Sequence, residues 1–337
     1  MARTKPDRMS LDPLFTDDPA RELRQLVEAG RFREALEAHT RAGDGRARMP
    51  EVALLAATAA TRLGELGRGV TLAEAALERF RLRADTDGRM RAMNLLGAIA
   101  FDHGRLEEAE RCFGEALDLA RVLEDGRMAA NASNNLASVA HLRNRPDLAL
   151  SLYRGALLGY QRIGDRRGTA QTYHNLGLTF RQQRDWDDAE AAALQAVRHA
   201  EEVGEGSLMA LAVMGRAEIH LDRGELSLAR RELLRAEQLC RAAGDEVGTA
   251  EVGRLRATLT LKEGRPAEAL ALALEARAVA LRLGILQLQG ECAGVAAAAA
   301  RQLGHLADAD AHAAEAREIF ERLGAERLQQ ELERSLH

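Results

Sequence analysis

Aromatic residues make up only 3% of this 337-residue chain and prolines number six. A core must therefore be assembled from Ala, Leu and Val, a composition that favours helices over sheets. Cysteine is scarce. Cys112, Cys240 and Cys292 lie far apart and form no CxxC, which excludes a disulfide framework or a zinc site and points to a reducing compartment. Long hydrophobic runs are missing too: Val295 to Ala300 is too short to span a bilayer, and the opening MARTKPDRMSLDPLFTDDP has basic residues without the apolar stretch of a signal peptide. The expectation is a cytoplasmic protein with no membrane partner. Charge of one sign is also lacking, with 47 Lys and Arg against 52 Asp and Glu. A net −5 leaves no basic footprint for nucleic acid. HExxH, GxSxG, P-loop and GxGxxG motifs are absent and nine histidines are scattered, so neither an enzyme, a metal nor a cofactor is expected. What is present is 46% apolar and 29% charged residues, enough for a sizeable core and too apolar for general disorder.

The chain repeats itself. Sliding it by 40 superimposes Ala76, Ala116, Ala156, Ala196, Ala236, Ala276 and Ala316, a period that marks a stacked-repeat architecture. Two further columns hold only Gly or Ala: Gly69, Ala109, Ala149, Ala189, Ala229, Ala269, Ala309, and Ala57, Gly97, Ala137, Gly177, Ala217, Ala257, Ala297. Small residues at fixed sites let helical backbones approach, so these columns predict helix crossings. Gly64, Gly104, Gly224, Gly264 and Gly304 share a column with Asn144 and Arg184, suited to a left-handed residue closing the first helix of each unit. Gly164, Gly204, Gly244, Gly284 and Gly324 end the second helix, often followed by Asp or Glu as in Gly164-Asp165, a C-terminal stop. Pro146 and Pro266 mark starts of second helices. The first pair is shorter, with Gly30 and Ala35 aligning to Gly64 and Gly69. Asp18-Pro19 reads as its N-cap and first turn, residues 1–17 as a mobile arm, 18–324 as about eight helix pairs, and 325–337, with Leu328, Leu332 and Leu336, as a capping helix.

Asn175-Leu176-Gly177, Trp186, Ala189 and Ala196 resemble the tetratricopeptide repeat, over about residues 20–324. The 40-residue spacing with a closing Gly-Asp is similar to the longer repeats of the Pins and LGN type and their bacterial relatives. The resemblance implies an all-α fold, a right-handed α-solenoid of helix-turn-helix units, and a binding scaffold. Arg216 and Arg256 depart from it, standing where Leu96, Leu136 and Leu176 hold the column, and looser packing is expected in those two units.

Several conspicuous residues have structural explanations. Trp186, the only tryptophan, aligns with Leu66, Leu106, Pro146, Leu226, Pro266 and Leu306 and is expected to pack at the base of a second helix rather than to anchor a partner. Phe113 and Tyr153 share a column with Ala73, Ala193, Leu233 and Ala313 and are assigned to the core. The three cysteines read as small core residues, the Glu107–Arg111 stretch as a solvated face, and His305 with His312 as solvated rather than metal-binding.

First helices line the concave side in the family this chain resembles, and residues three or four apart share a face. That face carries Arg91 and Asn94, then Asn131, Asn134, Asn135 and His141, then Gln171, His174, Asn175 and Arg181. Asn and Gln are mediocre helix formers, and a side-chain amide both donates and accepts. In the family, asparagines in the column of Asn135 and Asn175 resemble those that hold an extended peptide backbone. The ten residues are the candidate peptide groove, against the alternative of a merely hydrated surface. Glu218, Asp222 and Glu251 beside Arg254 and Lys262 give the later units a face of mixed charge.

The leading functional expectation is a non-enzymatic scaffold that binds an extended peptide or a protein partner in its groove. A peptide-sensing regulator of a bacterial signalling system is the alternative, disfavoured because residues 1–17 are too few for an output module. A homo-oligomeric assembly scaffold, paired through terminal repeats, stays open.

Overall fold

A computed structural model describes residues 20–336. Asp18-Pro19 and the arm over 1–17 lie outside the described residues. The chain divides into two compact units at Phe80. In the first, α1 (Arg21–Glu28) and α2 (Phe32–Arg41) form a short pair, followed by α3 (Gly43–Ala47), α4 (Pro50–Arg62) and α5 (Leu66–Leu82). Leu23, Ala35, Leu36, Val52 and Ala56 make its core.

The second unit is built from helix pairs: α6 (Thr86–Asp102) with α7 (Leu106–Val122), α8 (Gly126–Leu142) with α9 (Pro146–Arg162), and α10 (Arg166–Gln183) with α11 (Trp186–Val203). Then come α12 (Gly206–Asp222) with α13 (Leu226–Ala243), α14 (Glu246–Lys262) with α15 (Pro266–Leu283), α16 (Leu286–Gln302) with α17 (Leu306–Arg322), and the single α18 (Glu326–Leu336). No strand occurs among the described residues. The all-α repeat fold expected from the 40-residue period is the fold observed.

The small columns do what their size allows. In the alanine column from Ala76 to Ala316 every member is buried. A Cβ on Gly177 would stand 3.3 Å from the Ala189 carbonyl oxygen, and one on Gly97 would stand 2.6 Å from the Phe113 ring, so the two Gly/Ala columns are the crossing points inside a pair. Phe113, Tyr153 and all three cysteines are buried in the core as expected. Arg216 differs from expectation. Instead of loosening its unit it pairs with Glu190 of α11 at 2.9 Å and Glu232 of α13 at 3.1 Å, while Arg256 turns to the surface and Glu237. Trp186 packs at the base of a second helix as expected, at the start of α11, half-buried against the Tyr153 cluster.

The inner-turn column is left-handed throughout, with Asn144 at φ 55° and Arg184 at φ 60° in line with glycines such as Gly104 at φ 74°. The outer-turn column is also left-handed, and Ala84 and Glu124 occupy it at φ 54° where later units have Gly. The Asp after it does more than stop a helix. Asp85, Asp125, Asp165 and Asp245 cap the next one, each carboxylate accepting a backbone N–H three residues on at 2.8 to 2.9 Å.

Within this unit the first helix of each pair packs on the first helix of the next, from α6 through α8, α10, α12 and α14 to α16. Helix α18 packs on α16 and also on α8. The last helix therefore does more than cover an open end: it closes the inner helices into a ring. Leu323, Leu328, Leu332 and Leu336 share one apolar cluster with Leu106, Phe113, Val139 and Leu142. Gly104 admits this contact, because a Cβ there would run into the Leu323 backbone. A polar strand runs alongside: Gln182 Nε2 donates to Asn144 Oδ1 at 2.6 Å, and Asn144 Nδ2 to Gln330 Oε1 at 3.1 Å.

Two stability predictions follow from these contacts. If the ring is closed, Leu332→Ala near the C-terminus should cost ~2–5 kcal/mol, as for a buried core leucine, when followed by urea denaturation; a free terminal helix would fray at little cost. Glu124→Gly should stabilise by ~1 kcal/mol, because it relieves a left-handed non-glycine residue, read as a raised denaturation midpoint.

Candidate functional site

The ring surrounds a solvent-open cavity of about 1120 Å³, lined by side chains from α8, α10, α12, α14, α16 and α18, with Trp186 and Phe320 contributed by α11 and α17. Position decides this lining. The first helix of each pair turns one face to its pair mate and its neighbours, and the residues left over, three or four apart, point inward.

The inner wall is an ionic ladder. Arg181 of α10 meets Glu218 and Asp222 of α12, each at 3.1 Å. Glu218 also meets Arg254 of α14 at 2.8 Å. Arg254 in turn pairs with Glu251 on its own helix and with Glu291 of α16 at 3.0 Å. Arg181, Glu218 and Arg254 have side chains only 13 to 17% exposed. On α18, Arg327 pairs with Glu331 at 2.6 Å. Burial pushes the Glu218 carboxyl up, but Arg181 and Arg254 together outweigh it and hold it at about 2. Glu251 goes the other way. Its burial, joined by the Glu291 charge, raises its pKa despite Arg254. Three carboxylates share Arg254, so this side of the cavity is electronegative.

Two histidines border the ladder. Burial lowers His174 to about 4, with smaller opposing influences from Glu218 and Arg181. His141 is pushed well down, mainly by burial and then by Arg327 and Arg181. Both rings are neutral at pH 7. Thr179 Oγ1 spends its one proton on the Asn175 carbonyl oxygen at 2.8 Å, so His141 Nδ1–H donates to that hydroxyl at 3.1 Å. The threonine thereby sets the tautomer of the ring.

Of the ten residues read from the sequence, the structure brings His141, Gln171, His174 and Arg181 to the cavity wall. The other six stand apart from it. Arg91 is exposed and pairs with Asp87 at 3.0 Å. Asn131 accepts from the Tyr160 hydroxyl at 2.7 Å. Asn135 Nδ2 donates to Asn94 Oδ1 at 3.2 Å and Asn175 Nδ2 to Asn134 Oδ1 at 3.5 Å, so these amides tie successive first helices together. Glu218, Asp222, Glu251 and Arg254, read in the sequence only as a mixed-charge face, form the centre of the wall. Glu291, Arg327 and Glu331 were missed. The signal that could have found them is register: Arg181, Glu218, Arg254 and Glu291 each stand close to one repeat beyond the last, alternating in sign.

Among the described residues no group of His, Cys, Asp and Glu is arranged to hold a metal, and no helix is long and apolar enough to cross a membrane.

Family models of the tetratricopeptide repeat match residues 89–125, 128–202 and 174–246. Over those residues the chain is similar to the tetratricopeptide repeat. No curated protein matches it. Solved structures share the fold. A Rap protein complexed with competence and sporulation factor is 15% identical at a TM-score of 0.70, over 92% of this chain and 98% of that one. The Rap conjugation gene regulator of the plasmid pLS20, in complex with the Phr* peptide, is 15% identical at a TM-score of 0.67, over 86% and 76%. Aspartyl phosphate phosphatase F from Bacillus subtilis is 12% identical at a TM-score of 0.56, over 90% and 93%.

The buried histidines of the ring make a pH prediction. A histidine in the unfolded chain titrates near ~6.5, whereas His174 in the fold does so at about 4. Between these values the unfolded chain binds protons the folded one refuses, so the stability present above pH 6.5 is lost as pH falls. The urea midpoint should decline between pH 7 and 5, and His174→Gln should flatten that decline.

Proposed function

We propose that this tetratricopeptide-repeat chain is a non-enzymatic interaction scaffold that receives a short peptide in the cavity of its closed ring. The observation that carries the reading is the cavity itself. At about 1120 Å³ it exceeds the ~300–1,000 Å³ usual for small-molecule clefts, and polar and charged side chains from six inner helices converge on it. An extended peptide leaves its backbone N–H and C=O groups unpaired, and burying them is costly unless side chains supply partners. Gln171, His174 and the ladder of carboxylates and guanidiniums supply both donors and acceptors. The peptide bound in the similar plasmid regulator supports the same class of ligand here, and the likeness of the repeats to the Pins and LGN type supports the same class of scaffold. The side-chain Oδ1 atoms of Asn135 and Asn175 take no hydrogen bond among the described residues and can address a peptide that extends from the cavity toward α8 and α6.

A second reading, a peptide-sensing regulator working in the cytoplasm, gains from the Rap likeness. The objection that the chain is too short for an output module loses its force, since a Rap protein is matched over 98% of its length.

Trp186 is the only tryptophan and borders the cavity, so its fluorescence reports occupancy. A library of random hexapeptides should yield binders that shift this emission. Thr258→Phe, which places a ring in the cavity from the C-terminal part of α14, should weaken them by about tenfold or more, equivalent to ~1.4 kcal/mol, with the circular dichroism spectrum unchanged. Binders unaffected by Thr258→Phe would place the ligand elsewhere.

A further inference from the structure

One guanidinium in the cavity wall is incompletely used. Arg327 of α18 is only 7% exposed. Its Nη1 donates to Glu331 Oε1 at 2.6 Å. Its Nε is buried without a partner, and its Nη2 has none among the described residues. Nε and Nη2 form one edge of the planar group, the fork on which a carboxylate seats with two parallel hydrogen bonds. A buried donor left unpaired is costly, and Nε is one such donor, next to an Nη2 that no side chain uses, on a residue that lines the cavity. Arg181, which lines the same cavity, also has its Nε buried and unpartnered, while its other nitrogens serve Asp222 and Glu218.

We propose that the Nε/Nη2 edge of Arg327 is the docking point for a carboxylate of the cavity's peptide ligand, either an Asp or Glu side chain or the C-terminal carboxylate. The proposal rests on the peptide-binding reading and sharpens it. Arg181 assists from the adjoining wall. Glu331, Glu218 and Asp222 already stand on these two guanidiniums, so a singly charged carboxylate is admitted and a doubly charged phosphate is repelled. The next stretch of the wall, toward α14 and α16, complements this polarity. There Glu251 and Glu291, with Glu218 shared between Arg181 and Arg254, crowd round Arg254, a place for a Lys or Arg side chain or for the peptide's amino terminus. The ring thus reads a peptide by direction, acidic group toward α18 and cationic group toward α14 and α16. Because α18 closes the ring, a carboxylate held by Arg327 also ties the ligand to the closing helix.

The test uses the full chain and two defined hexapeptide libraries, one with free C-terminal carboxylates and one with C-terminal amides, read by Trp186 fluorescence. The expected binders lose about tenfold or more in affinity, the range for a hydrogen bond to a charged group, when one carboxylate is neutralised. Loss on amidation identifies the C-terminus as the source; loss on Asp→Asn or Glu→Gln replacement in the peptide identifies a side chain. Arg327→Lys keeps the charge and removes the fork, and it should bring the acid and neutral forms to within about twofold of each other. Wild-type discrimination between the two forms is itself a readout that needs no variant to fold. Binders indifferent to neutralisation, or an Arg327→Lys variant that discriminates as wild type does, would overturn the carboxylate site while leaving the peptide reading intact. Failure of both libraries to yield any binder sensitive to Thr258→Phe would overturn both.

Discussion

The seam between α18 and the start of the second unit holds the rest of that unit's architecture in place. Leu323, Leu328, Leu332 and Leu336 bury their side chains with Leu106, Val139 and Leu142, and apolar burial is worth ~25 cal/mol for each Å² removed from water. Without it the inner helices would form an open arc, each touching only its neighbours, as in an ordinary solenoid. With it, α8 meets α18 and the concave surface becomes the wall of a cavity. Gly104 makes the approach possible by lacking a side chain, and Asn144 spans α10 and α18 through Gln182 and Gln330.

Closure changes the electrostatics of everything inside. Charges on the concave face of an open solenoid are bathed in water and contribute little. Inside a ring they lose much of that hydration, and removing one partner of a buried pair leaves the other costly. The ladder from Arg181 to Glu291 answers that constraint, since each guanidinium meets two or three carboxylates and Glu218 meets two guanidiniums. The arrangement keeps polar groups in the cavity wall without leaving isolated charges. The exceptions, the unpaired edge of Arg327 and the unpaired Nε of Arg181, stand out against this background.

The same geometry explains why the asparagines of α6, α8 and α10 serve as ties. Successive first helices meet side by side, and an amide facing the neighbouring helix finds another amide one repeat away, as Asn135 finds Asn94. Pairing there satisfies both groups at no cost in charge burial, and it leaves ligand contact to the longer Arg, Glu and Gln side chains that reach inward.

The sequence by itself determined what is local and periodic. The 40-residue period, the Gly/Ala crossing columns, the left-handed turns and the burial of Phe113, Tyr153 and the cysteines all depend on residues within one unit and its neighbour, so the pattern repeats wherever the physics does. Part of the cavity lining was legible in the same way, since His141, Gln171, His174 and Arg181, read from the sequence as sharing a face, stand on the cavity wall. Tertiary structure alone decided that the array closes on itself. Asn144 and Gln330 are 186 residues apart, and their meeting depends on small rotations accumulated over every intervening repeat, which no single column records. For the same reason the cavity centre lies at Glu218, Arg254 and Glu291 rather than at the asparagines, and Arg327 gains its role only because α18 is carried round to α8.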